Sequence, residues 1–125
     1  MQKQNYLWRF TRKIKQFMKD NNIKTGIQYN LVKIAKYYND AYLFGLASEE
    51  SAELIQALNK LNRYALVNEY NGNLAELEDN LYEEIADVEV LLQMIKNRYQ
   101  CEEQVYKWKC EKVNRWLKRL CIETS

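Results

Sequence analysis

From Ala41 to Arg98 apolar residues keep helical phase, broken only by a short polar gap whose clearest turn signal is Asn71-Gly72-Asn73. No proline interrupts that phase anywhere in the 125 residues, and there are only three glycines. Helix is the regular structure this patterning supports. Five stretches share it. Residues 2–19 carry Tyr6, Leu7, Phe10, Ile14, Phe17 and Met18 on one side and Lys and Arg on the other, and Asp20-Asn21-Asn22 marks a stop. After Thr25-Gly26, residues 28–38 carry Leu31, Ile34, Ala35 and Tyr38. Asn39-Asp40 can end that helix and cap the next, because their side chains accept the free N–H groups of a first turn. Residues 41–64 carry Leu43, Leu46, Ala47, Leu54, Ala57, Leu58 and Leu61; residues 74–98 carry Leu77, Leu81, Ile85, Val88, Leu91, Leu92 and Ile95. The fifth stretch, 102–120, carries Val105, Trp108, Val113, Trp116, Leu117 and Leu120. The expectation is one all-α domain over residues 1–125, a bundle of four to five helices. Residues 1–22 form an extra basic amphipathic helix, whose apolar face is expected to pack on the protein's own core.

Several function classes are excluded by what is missing. There is no histidine, so no Ser-His-Asp or Cys-His nucleophile system can form. Glu-x-x-His di-iron sites and Cys/His zinc fingers are excluded as well. A metal site here must be built mainly from oxygen ligands, which points to Mg²⁺, Mn²⁺ or Ca²⁺. The cysteines Cys101, Cys110 and Cys121 form no CxxC pair and read as reduced thiols. No apolar run reaches the length of a membrane span, and no signal-peptide core follows the basic N-terminus. A cytoplasmic protein with no membrane partner is expected. Charge is unevenly spread: Asp40 to Glu89 holds twelve acids and two bases, leaving five acids and seventeen bases for the rest. An acidic centre suits cations, and basic flanks suit phosphates.

The acidic centre contains two matched signatures, Glu49-Glu50-Ser51-Ala52-Glu53 and Glu83-Glu84-Ile85-Ala86-Asp87. At about 100° per residue, Leu46, Leu54, Ala57 and Leu61 lie within about 40° of Glu50. Val88, Leu91 and Ile95 lie within about 40° of Glu84 in the same way. Glu53 and Asp87 sit at the stripe edges, whereas Glu49 and Glu83 turn outward by about 100°. Carboxylates that interrupt two apolar stripes are costly to bury and repel each other. A divalent cation resolves both problems, so residues 41–98 read as a metal-binding helix pair with Glu50, Glu53, Glu84 and Asp87 as candidate ligands.

At these residues the chain resembles the MazG-like all-α nucleoside triphosphate pyrophosphohydrolases, a superfamily that includes dimeric dUTPases and phosphoribosyl-ATP pyrophosphatases. The wording Glu-Glu-Ser-Ala-Glu-Leu and Glu-Glu-Ile-Ala-Asp-Val carries the resemblance, which extends over about Leu43 to Ile95. It implies that Glu50, Glu53, Glu84 and Asp87 bind Mg²⁺ or Mn²⁺ and act in catalysis. It also implies that Lys109, Lys112 and Arg115 contact substrate phosphates, since the segment Lys109 to Arg115 is similar to the family's lysine-rich helix. A homodimer or homotetramer is implied too.

The expected function is therefore Mg²⁺-dependent hydrolysis of a nucleoside triphosphate to the monophosphate and pyrophosphate, a nucleotide house-cleaning reaction. One of the four carboxylates, or Glu49, takes the proton from the attacking water. Trp8, Trp108 and Trp116 are expected in the core, with base stacking as their other use. The alternative is a non-catalytic helical bundle that contacts nucleic acid or a protein partner through its basic first helix.

Overall fold

The computed structural model describes residues 26–67 and 73–122, together with residues 12, 16, 19 and 20. The described part is all-α. Its helices are α1 (Ile27–Ala35), α2 (Asp40–Val67), α3 (Leu74–Tyr99) and α4 (Glu102–Arg119). The expected first helix and Trp8 lie outside the described residues, except that positions 12, 16, 19 and 20 are helical.

Side chains set the helix ends. Asn39 Oδ1 accepts the Tyr42 amide at 2.8 Å and starts α2. Asn73 Oδ1 accepts the Ala75 amide at 2.9 Å and starts α3. Each satisfies an amide that has no partner within its helix. α3 ends on Gln100 in the left-handed region, φ 50°. The next amide, Cys101 N–H, folds back onto the Lys96 carbonyl at 3.2 Å.

α1 is shorter than its stripe predicts. The chain turns at Lys36 to Tyr38, where the Tyr37 amide bonds the Ile34 carbonyl at 3.0 Å. This turn is held from a distance. The Arg98 guanidinium donates to the carbonyls of Ala35 and Tyr38 and pairs with Asp40 Oδ1 at 2.9 Å. It thus joins the end of α3 to the end of α1 and the start of α2.

α2 packs along α3, and α1 packs on α3. Leu31 and Ala35 of α1, Leu43 of α2, and Leu91 and Met94 of α3 form the core, flanked by Leu46, Ala47 and Ile95. Ala57 and Leu77 are buried further along the α2–α3 seam. Met94 falls outside the expected stripe but shares the core cluster with Leu31 and Ala35, because α1 covers that flank. Conversely Ile34, Tyr38, Leu58, Ile85 and Leu92 lie at the stripe edges or on α1's open side and remain exposed.

The fifth stretch differs most from expectation. It forms α4 as predicted, but none of its residues is buried. Trp108 and Trp116, expected in the core, are 59% and 61% exposed. α4 leaves α3 through a tight turn and packs along none of the other described helices. No helix among the described residues is long and apolar enough to cross a membrane.

Candidate metal centre

The seam between α2 and α3 repeats every seven residues. Leu43 shares a cluster with Leu91. Seven residues on along α2, and seven back along α3, Glu50 meets Glu84. One further heptad brings the positions of Ala57 and Leu77, both buried. The opposed numbering makes the two helices antiparallel. The seam therefore has an apolar layer at each end and a carboxylate layer between them.

In that middle layer, carboxylate oxygens of Glu50, Glu84 and Asp87 lie within 4.8 Å of one another. Glu84 is 8% exposed, and Glu50 and Asp87 are half-buried. Glu53 is exposed, beside the trio rather than in it. Glu49 and Glu83 face solvent, as their phase predicts.

Glu84 Oε2 is buried and has no hydrogen-bond partner. None of the ion pairs among the described residues includes it. The ion pairs among the described residues are Lys96–Glu102, Arg98–Asp40, Lys107–Glu103 and Arg115–Glu111. Desolvation pushes the Glu84 carboxyl above its ordinary value, and the charges of Glu53, Asp87, Glu50 and Glu83 add to the rise. Glu50 is raised in the same way, first by desolvation and then by Glu53, Asp87, Glu49 and Glu83. Two raised acids, a third beside them and an orphaned buried oxygen form a site short of positive charge. The donor set is all carboxylate oxygen, which suits a hard divalent ion.

The predicted phosphate-binding residues lie apart from this cluster. Lys112 sits over the Trp108 ring, 5.9 Å from its centroid, and Arg115 pairs with Glu111 at 3.7 Å. Lys109 lines an open groove of about 720 Å³ bounded by α1, α3 and α4. That groove follows the face of α3 which carries Ala86, Glu89 and Gln93, roughly opposite Glu84 in helical phase. None of the three bases pairs with a carboxylate of the trio.

Arg98 was not legible as a structural clamp. Its partners lie 58 to 63 residues away in sequence, and no local pattern marks it.

No family model, curated protein or solved structure matches the chain.

Proposed function

We propose that the chain is a Mg²⁺-dependent nucleoside triphosphate pyrophosphohydrolase of the MazG-like kind, releasing a nucleoside monophosphate and pyrophosphate. One observation carries the reading. Glu50, Glu84 and Asp87 converge in an otherwise apolar seam, and an oxygen of buried Glu84 lacks a partner. The reaction class rests on the resemblance of the two acidic signatures. Glu50, Glu84 and Asp87, with Glu53 beside them, would hold Mg²⁺ or Mn²⁺. Such an ion supplies charge neutralisation for phosphate oxygens and a water of lowered pKa. Proton acceptance falls to one of these carboxylates or to Glu49, which is exposed next to them.

Lys109, Lys112 and Arg115 would steady the phosphate tail. Lys109 stands on the far side of α3 from the carboxylates, so we assign that contact to α4 of a neighbouring copy in a homodimer or homotetramer.

The test is pyrophosphate release from a panel of canonical and modified nucleoside triphosphates with Mg²⁺. Glu50→Gln combined with Asp87→Asn should abolish release while the helical circular dichroism persists. A folded protein that releases no pyrophosphate from any member of the panel overturns the enzyme reading. A monomeric mass by sedimentation at assay concentration overturns the shared site.

A further inference from the structure

The α2–α3 hairpin carries a second apolar row on each helix, one residue along from the seam. On α2, Phe44 and Leu58 follow Leu43 and Ala57; on α3, Ile85, Leu92 and Tyr99 follow Glu84, Leu91 and Arg98. That step turns each row by about 100° from the seam. In antiparallel helices the turn carries both rows to the same side, and the Phe44 and Tyr99 rings accordingly stack there, 6.1 Å between centroids. Ser51 interrupts the α2 row, but its hydroxyl donates to the Ala47 carbonyl at 2.6 Å. Ala47, Leu54, Leu81 and Val88 run between the rows and the seam, all half-buried. α1 covers the other side of the hairpin, where Leu31 is buried with Met94, and no described helix packs along this side. The five row side chains are 38% to 53% exposed.

We propose that this face packs on the same face of a second copy, so that two hairpins close into a four-helix bundle. Three features choose that occupant. The exposed rows repeat every seven residues, as the buried seam does, and the surface that interlocks with such rows is another helix pair of the same period. The face is also compatible with itself, as a two-fold interface requires. Beyond Asp40, which pairs with Arg98, no charged residue of α2 lies within about 60° of Leu58 in helical phase. The α3 charges beside the row, Glu78, Glu89 and Lys96, stand on its outer margin. They carry both signs and so form a polar rim rather than a repelling centre. The area fits too. At about 200 Å² for a large apolar side chain, the five leave roughly 450 Å² in water per copy, more than half of the ~800 Å² each partner gives a stable interface. Glu53 and Asp87 lie across the seam from this face, so the pairing leaves the carboxylate layer open and needs neither metal nor nucleotide.

Sedimentation of the full chain in EDTA is the test. The natural chain should run at twice 15.1 kDa at micromolar concentration. Leu58→Glu with Leu92→Glu should run as a monomer with its helical circular dichroism intact, because both side chains are already half in water. Trp108→Glu with Trp116→Glu, on α4, should keep the dimer. A monomeric natural chain, as coverage of the face by another part of the same chain would require, overturns the proposal. So does a hairpin variant of unchanged mass, or association lost in the α4 variant alone. Should the glutamate variant lose its helical signal, Leu58→Ala with Leu92→Ala decides. Its dissociation constant should rise at least about tenfold, and an unchanged one refutes the pairing. The outcome does not depend on pyrophosphate release: a chain that hydrolyses no nucleotide can still pair this way, and one that does can still fail to.

Discussion

Replacing Glu84 by leucine should stabilise the metal-free protein and abolish its response to Mg²⁺. Glu84 occupies a seam position between Leu77 and Leu91, one heptad from each, and both neighbours are buried. Leucine there continues the apolar seam, removes the orphaned oxygen and takes away one of three carboxylates lying within 4.8 Å of one another. Replacing buried charge by a well-packed hydrophobe is commonly neutral or stabilising, so the metal-free melting temperature should rise by roughly 5 °C. The natural chain should gain more from the ion. At a free Mg²⁺ concentration a hundredfold above Kd, binding contributes about 2.7 kcal/mol. With an unfolding entropy of about 0.26 kcal/mol/K for a chain of this length, that is about 10 °C. The assay is thermal unfolding by circular dichroism at 222 nm, with EDTA and then with increasing Mg²⁺, for natural chain, Glu84→Leu and Glu84→Gln. Both variants should show almost no Mg²⁺ response. A Glu84→Leu protein that melts below the natural metal-free chain, or that retains the Mg²⁺ shift, refutes the reasoning, because the carboxylate would then have a protein partner or no part in holding the ion.

The same carboxyls set the sign of the pH dependence. Glu84 and Glu50 are raised above 4.5 in the folded state, chiefly by desolvation, so the native chain binds more protons than the unfolded one above that pH. Stability of the metal-free protein should fall as pH rises from 4.5 through the raised values, and urea titrations in EDTA at stepped pH will show it; a rise over that window would contradict the assignment. Arg98→Met removes bonds to two backbone carbonyls and to Asp40 and should cost about 2 kcal/mol. In amide exchange, α1 should lose protection before the α2–α3 pair does. Gly45 lies inside α2 with no atom within 4 Å of an added Cβ, so Gly45→Ala should stabilise by about 1 kcal/mol in urea unfolding.

Helical phase was legible because it is a local property. The signatures placed Glu50 and Glu84 inside apolar stripes, and the folded chain puts them in one seam layer with Asp87. Asn39 was readable as a helix start for the same reason, since a cap acts within three residues of itself. Coverage of a stripe is not local. Leu91 and Trp116 have equivalent stripe positions in their own helices, yet one is 6% and the other 61% exposed. The difference lies in whether another helix reaches that face, and no residue on α4 records it. Met94 shows the converse, buried outside its stripe in the cluster that α1 completes. Arg98 is unreadable in sequence because it joins three helix ends from 58 to 63 residues away.

The seam explains why the carboxylate layer is tolerated at all. α2 and α3 are 28 and 26 residues long, with buried apolar positions on both sides of Glu50 and Glu84. The flanking layers bring the two helices together whatever the middle layer contains. Charge can therefore be held in the middle at a loss of stability that the apolar layers offset, and a cation bound there would recover it. The exposed face of α4 shows the opposite arrangement, with Trp108, Val113 and Trp116 in water and no described helix along them. A chain with charge inside its seam and aromatic rings on an open helix has its strongest unmet interactions in two places. The first would be met by a divalent ion and the second by protein surface, so Mg²⁺ titration and sedimentation test the two separately.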